Sequence, residues 1–394
     1  MSTIALPQLA TTPHFAALPP LSLYVHIPWC IRKCPYCDFN SHEAKADVDE
    51  SRYIDALMAD LETALPSVWG RGVHTIFIGG GTPSLFSAAS IDALLAGVRA
   101  RLQVLPDAEV TLEANPGTFE REKFAGFFAA GVNRLSLGVQ SFNEVKLKAL
   151  GRVHDASEAR RAAEAAMMIF GNVNLDVMFA LPAQTLSEAE TDVAAALAFD
   201  TPHLSFYQLT LEPNTLFHRH PPPLPDDELA DDIQLHVAQR LADAGFTRYE
   251  VSAYAKAQRE CAHNLNYWRF GDYLGIGAGA HSKISFGERI ERSVRHKQPR
   301  QYVEQALMHS PLMQATAVTR DDVGFEFMLN ALRLTDGVPT PLFAERTGMP
   351  LAIVAPALQE AVRRGLIESD PTRLRATPLG RRFLNDLTAL FLHE

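Results

Sequence analysis

The sequence is poor in cysteine, in basic charge and in long apolar runs, and each shortage excludes something. Four cysteines in 394 residues cannot build a disulfide-stapled scaffold. A chain of this size that is 47% hydrophobic buries a core without one. Acidic residues outnumber basic ones, 46 to 36, for a formal net charge of −10, which argues against a general nucleic-acid binder. No apolar run approaches the roughly 18 residues needed to span a bilayer. Residues 1–20 place no basic residue ahead of an apolar stretch, so they do not read as a signal peptide. That segment is rich in Pro and Ala and is expected to be a flexible tail. The expected compartment is the cytoplasm, where clustered cysteines point to metal or redox chemistry.

The first two-thirds of the chain alternates β-type runs with amphipathic helices. Strands are predicted at 21–27, 73–78, 109–114, 133–140, 174–179 and 203–211, each rich in branched or aromatic residues and bounded by turn formers. Ile54, Leu57, Leu61 and Leu65 recur with helical spacing, as do Ile91, Leu94, Val98 and Leu102. Ser87 and Ser187 are expected N-caps, and Gly131 and Gly245 expected helix stops. Six strands alternating with helices imply a parallel α/β sheet, either doubly wound or a full or partial barrel. Ligands then belong at the C-terminal strand ends, which is where Gly79–Pro83, Glu113 and Gln140 fall. Asp176 lies within strand five and Gln208 within strand six. The expected units are 21–245, an extension at 246–310 and a C-terminal domain at 311–394. The last reads as helices plus a hairpin near 366–375, a winged-helix-like pattern. From Thr335 onward seven Arg face seven acidic residues, so a DNA-binding role is not expected there.

Three cysteines, Cys30, Cys34 and Cys37, follow the first strand with the spacing C-x3-C-x2-C. Three thiolates can hold a [4Fe–4S] cube and leave one iron open for a small chelating molecule. A zinc site is the alternative and needs a fourth ligand, for which His26 and His42 are near in sequence. Cys261 stands apart and reads as an ordinary buried cysteine.

With Tyr36 before the third cysteine and the run Gly79-Gly80-Gly81-Thr82-Pro83, the chain resembles the radical S-adenosylmethionine superfamily. Further motifs narrow the resemblance. Tyr24-Val-His-Ile-Pro-Trp-Cys30, Glu113-Ala-Asn-Pro-Gly117, Arg134 to Phe142, Leu150 to His154, Asn174 to Val177 and Glu326 to Asn330 are similar to one branch. It holds oxygen-independent coproporphyrinogen III dehydrogenase (HemN) and its HemW relatives, which are haem chaperones. The resemblance implies a partial (βα)6 barrel with a C-terminal helical domain, a [4Fe–4S] cluster on the three cysteines and bound S-adenosylmethionine (SAM). It assigns SAM to Tyr24, Tyr36, Gly80, Gly81, Thr82 and Glu113. Gln140, Arg152, Asp176 and Gln208 match a second SAM site of the dehydrogenase, although that enzyme has a small residue where Gln208 stands. Phe39 stands close behind Cys37, where the dehydrogenase carries an extra cysteine, and the long N-terminal arm of the dehydrogenase is missing. Both departures favour the chaperone branch over oxidative decarboxylation of coproporphyrinogen III.

His263-Asn-Leu-Asn-Tyr-Trp268 matches the HNxxYW motif that the chaperones associate with haem. An imidazole can ligate haem iron, and Tyr267 and Trp268 can stack on a porphyrin. The bland reading is a hydrogen-bonded structural histidine. His281 is a second candidate imidazole. The implied partners are haem, a haemoprotein acceptor, an electron donor, and a second copy of the chain. The basic stretch Arg289–Arg300 is expected to be a solvated face or linker helix, with peripheral membrane contact as an alternative use.

Overall fold

The computed structural model of the chain describes residues 12–44, 48–117 and 120–392. Its frame is six parallel strands: β1 (Leu21–Ile27), β2 (Gly72–Gly80), β3 (Gln103–Ala114), β4 (Arg134–Gln140), β5 (Val173–Phe179) and β6 (His203–Gln208). They pair in sequence order. Helices Glu50–Val68, Ala88–Arg101, Glu120–Ala130, Ala156–Ile169, Leu186–Leu197 and Asp227–Asp243 alternate with them. All six strand predictions land on these elements.

The sheet does not stop at six. Short strands β7 (Thr247–Arg248) and β8 (Ala253–Ala255) extend it antiparallel beyond β6. On the other side β9 (Asp272–Ile276) lies parallel to β1. β10 (His281–Ser285), β11 (Ile290–Arg295) and β12 (Leu312–Ala317) then continue it antiparallel. Twelve strands are joined in this open sheet among the described residues. Residues 246–310 therefore supply five of these strands, and β12 is added from residues 312–317.

Parallel strands usually bury apolar side chains on both faces. These do so on one face only. Leu21, Leu23, Val25 and Ile27 join Ile76, Ile78, Leu112, Leu135, Leu137 and Leu175 in the core beneath the helices. Alternate positions (Ser22, Thr75, Ser136, Asn174, His203, Ser205) face inward and bond to one another. Thr75 Oγ1 donates to Ser22 Oγ at 2.7 Å, and Asn174 Nδ2 donates to Ser136 Oγ at 2.8 Å. Asn174 Oδ1 in turn meets His203 Nδ1 at 2.7 Å and accepts from Ser205 Oγ at 3.0 Å. The lumen of the partial barrel is a polar network, with Thr111 Oγ1 and Arg134 Nε left without hydrogen-bond partners among the described residues.

Local details confirm and correct the sequence reading. Ser87 caps its helix by accepting from Ser90 N. At the later helix the cap is Thr185, not Ser187, because Thr185 and Glu188 form a reciprocal capping box that starts two residues earlier. Gly131 and Gly245 end their helices at φ +104° and +83°, where a side chain would be strained. The expected tail is only partly outside the described residues: 1–11 are, but His14 N donates to Gly348 O at 2.9 Å and Phe15 packs on the C-terminal core. The basic stretch is not a linker helix. It holds β11, where Arg292 grips Glu326 through two nitrogens and Arg295 is buried against Asp60.

The C-terminal residues have their own core around Phe327, Phe343, Leu366 and Leu387. The hairpin expected at 366–375 forms loosely, through the Ile367–Ala376 bridge. Arg373–Leu374 pairs instead with Val338–Pro339. This core also includes Tyr249, Phe270 and Ile290, so it is welded to the edge of the sheet. No helix among the described residues is long and apolar enough to cross a membrane.

Candidate functional site

A cavity of about 700 Å³ opens at the C-terminal ends of the strands, lined by Cys30, Cys34 and Cys37 on one wall and by the ends of β2–β6 on the other. Its size lies in the range of small-molecule sites. The cysteine loop is pinned at both ends. Trp29–Cys30 and His42–Glu43 form a short parallel pair, and Lys33 Nζ crosses the loop to Phe39 O at 3.0 Å. Cys37 N donates to Cys34 O at 3.1 Å, tightening the x2 interval into a turn.

The glycine run is stitched to that loop. Gly81 N donates to Ile27 O at 2.8 Å and Thr82 N to Trp29 O at 2.7 Å. A Cβ on Gly81 would lie 2.5 Å from Trp29 O, a backbone atom that cannot yield. Gly80 has φ +120° with the His26 ring 2.7 Å from where its Cβ would stand. Both positions admit only glycine.

Glu113, at the end of β3, accepts the Gly80 N–H at 3.0 Å. Burial, and then the nearby Asp176 carboxylate, push its carboxyl up to about 8. Asp176 is itself raised by burial, although Ser136 Oγ and Asn174 Nδ2 each donate to it at 2.9 Å. Two acids sharing one recess, both held toward neutrality, suit a ligand that brings positive charge or several donors.

Asn115 organises the opposite wall. Its Nδ2 donates to Thr82 Oγ1 at 2.8 Å, and its Oδ1 accepts from Arg152 Nη2 at 2.5 Å. Arg152 also donates to Gly138 O at 2.9 Å and lies 3.5 Å from Cys34 Sγ. Its Nε is buried without a partner among the described residues, a donor left for something else to satisfy. Gln140 ends β4 at φ +68°, a strained conformation for a non-glycine residue that turns the chain at the cavity edge. Beneath it, burial lowers His154 to about 4, so its ring stays neutral while it bonds Val139 O.

Most of the residues singled out from the sequence therefore converge. Tyr36, Gly80, Gly81, Thr82, Glu113, Gln140, Arg152, Asp176 and Gln208 all line this cavity with the three cysteines. Tyr24 does not: its hydroxyl turns to His26 Nδ1 at 2.9 Å and its ring lies along Phe77. Asn115, Ser136 and His154 line the cavity but were not among the expected site residues.

The HNxxYW residues lie elsewhere. The helix Ala262–Trp268 plugs the lower, N-terminal end of the barrel. The Glu109 carboxylate caps it, accepting from Ala262 N at 3.2 Å and His263 N at 3.1 Å. His263 is 2% exposed and sits 5.0 Å from the Phe77 ring and 5.1 Å from that of Tyr267. Its Nδ1 meets Thr75 Oγ1 at 2.7 Å, and its Nε2 has no partner among the described residues. Burial, and then Arg134, lower it to about 3, so it is neutral. Trp268 lies under the Arg333 guanidinium at 4.3 Å. Cys261 is fully buried, and burial pushes its thiol up to about 12, which makes it inert.

The donor set of the upper cavity fits an iron–sulfur cluster. Among the described residues no three His, Cys, Asp or Glu side chains gather tightly enough to hold a single metal ion, whereas a four-iron cube takes thiolates at separate corners. Burial raises Cys30 and Cys37, so these thiols keep their protons until a metal displaces them.

Comparisons with known proteins agree with this geometry. Residues 24–196 match the family model of the radical SAM superfamily, and residues 318–383 match that of the HemN C-terminal domain. The chain is 49% identical to the "Heme chaperone HemW" of Escherichia coli (strain K12), over 96% of this chain and 99% of that one. It is 35% identical to the protein of the same name from Bacillus subtilis (strain 168), over 95% and 99%. Among solved structures it is similar to E. coli coproporphyrinogen III oxidase (HemN), titled a radical SAM enzyme, with TM-score 0.82, 25% identity, and coverage of 95% and 90%. With near-half identity across almost the whole of both chains, and both domain models in place, the protein belongs to the HemW family of the radical SAM superfamily.

Proposed function

We propose that the protein is a haem chaperone that carries a [4Fe–4S] cluster and SAM and hands haem to haemoproteins. The observation that carries the cofactor half is the meeting of Cys30, Cys34 and Cys37 with the Gly80–Thr82 run and Glu113 around one cavity. The three thiolates would hold the cluster. Gly80, Gly81, Thr82 and Glu113 would bind SAM, with Tyr36 on the rim. When both are bound, the cluster supplies an electron that can cleave the sulfonium C–S bond, chemistry that belongs to the cofactors. The chain's own residues orient the ligand and satisfy its charges.

The haem half follows the family. His263 Nε2, buried and unpartnered, is the kind of orphaned atom that marks a functional residue. Ligation of haem iron by it requires the helix Ala262–Trp268 to leave the barrel floor, because Phe77, Tyr267 and Thr75 enclose the ring. Haem acceptor, electron donor and a second copy of the chain are the proposed partners. The test is anaerobic reconstitution followed by titration with SAM and with haem. A brown cluster band and a shifted Soret band support the reading, and a haem spectrum identical to that of free haem overturns the chaperone half.

A second reading, oxidative decarboxylation of coproporphyrinogen III, is favoured by Gln140, Arg152 and Asp176 lining the same cavity as the cysteines and by the structural likeness to HemN. Against it stands the run Cys37-Asp38-Phe39, which lacks the further cysteine that enzyme carries just after its third cluster ligand.

A further inference from the structure

Each of the three loop cysteines has a side-chain donor within reach. Thr82 Oγ1 lies 3.6 Å from Cys30 Sγ, Arg152 Nη1 3.5 Å from Cys34 Sγ, and Ser41 Oγ 3.8 Å from Cys37 Sγ. All three donor residues line the cavity. Ser41 has no other assignment.

Ser41 is 5% exposed, and its backbone is held from both sides. Its N–H donates to Phe39 O at 2.7 Å, and its carbonyl accepts from Lys33 Nζ at 3.3 Å. It stands one residue before His42–Glu43, which pairs with Trp29–Cys30. The hydroxyl is thus delivered to the far end of the cysteine loop by the same short sheet that anchors the near end. Its hydroxyl meets Cys37 Sγ and is near enough to Cys30 to favour that thiolate as well.

We propose that Ser41 is a positioning residue for the cluster, donating its hydroxyl hydrogen to the Cys37 thiolate and raising the cluster's reduction potential. Reduction adds negative charge that the ligand sulfurs share. A donor aimed at one sulfur therefore stabilises the reduced cluster more than the oxidised one. The donors are also unequal. A guanidinium donates to Cys34 directly, whereas Cys30 and Cys37 face neutral hydroxyls, and the Lys33 ammonium acts on Cys37 only through space.

The inference rests on the cluster assignment, and its test reads the cluster and not turnover. Ser41→Ala, Ser41→Thr and the wild-type chain are reconstituted anaerobically and checked for iron and sulfide content. Each is then titrated with dithionite against mediators while the reduced cluster is followed by electron paramagnetic resonance. Ser41→Ala is expected to hold a full cluster with about a tenfold lower ratio of reduced to oxidised form at a fixed potential. For a one-electron couple that is a shift of about 59 mV. Ser41→Thr, which keeps the hydroxyl, is expected to stay at the wild-type potential. Loss of the cluster from Ser41→Ala that Ser41→Thr does not share also supports the hydroxyl's role. An Ala variant with full cluster and wild-type potential overturns the inference, as does equal loss from both variants. Wild-type protein that assembles no [4Fe–4S] cluster overturns the cluster assignment as well.

Discussion

Glu113 gives a prediction that needs no cofactor. In the folded protein its carboxyl is raised from about 4.5 to about 8 by burial and by Asp176. Between those two values the folded chain holds a proton that the unfolded chain has released, so stability falls as pH rises through that window and levels off above it. The span is roughly 3.5 units, which at about 1.36 kcal/mol per unit gives at most about 5 kcal/mol. Contact with the open cavity reduces that figure. Glu113→Gln keeps the shape and cannot ionise. The variant and the wild-type chain should be equally stable near pH 4.5, and the variant should gain steadily to a plateau above pH 8. The assay is denaturant unfolding of the cofactor-free proteins at matched ionic strength across this range. A stability difference that stays flat with pH would refute the assigned burial and the Asp176 coupling. The same carboxyl predicts proton release when a cationic ligand binds. Calorimetry of SAM binding in buffers of different ionisation enthalpy would detect it, and Glu113→Gln should lose that component.

Other expectations follow from the same cavity and plug. Cys30→Ser, Cys34→Ser and Cys37→Ser should each bleach the reconstituted cluster, whereas Cys261→Ser should keep it, as absorbance and iron content will show. Asn115→Ala should leave the cluster in place but free Arg152 from Thr82. A loss of about 1–3 kcal/mol for a buried partner left unpaired corresponds to SAM binding weakened roughly tenfold to a hundredfold, measured by equilibrium dialysis. If haem iron reaches His263, hydrogen-exchange protection over residues 262–268 should fall when haem binds. Unchanged protection in haem-bound protein would place the iron elsewhere.

The strand frame was legible because branched residues cluster between turn formers, and β1 spans the residues expected of it. The cavity was legible because its residues fall at strand ends, where a parallel sheet must expose them. Four things were not. The polar lumen was missed although its signal, alternation of Ser22, Tyr24 and His26 with Leu21, Leu23 and Val25, stood in the sequence. Parallel strands are expected to be apolar throughout, and that expectation hid the pattern. The place of His263 was hidden because burial of a polar side chain depends on partners far away in sequence, here Thr75 and Glu109. The basic stretch misled for the same reason. Arg292 and Arg295 read as surface charge until Glu326 and Asp60 are seen beside them. Asn115 lay inside a quoted motif, but its bridging role needs the distances to Thr82 and Arg152.

Haem carriage, as proposed for this radical SAM frame, and porphyrinogen oxidation differ in what they do to coproporphyrinogen III. The most direct measurement incubates the reconstituted protein with SAM, a one-electron donor and coproporphyrinogen III, beside a parallel titration with haem. A haem chaperone is expected to bind haem stoichiometrically and to form no protoporphyrinogen IX. Steady protoporphyrinogen IX formation with consumption of SAM would contradict it.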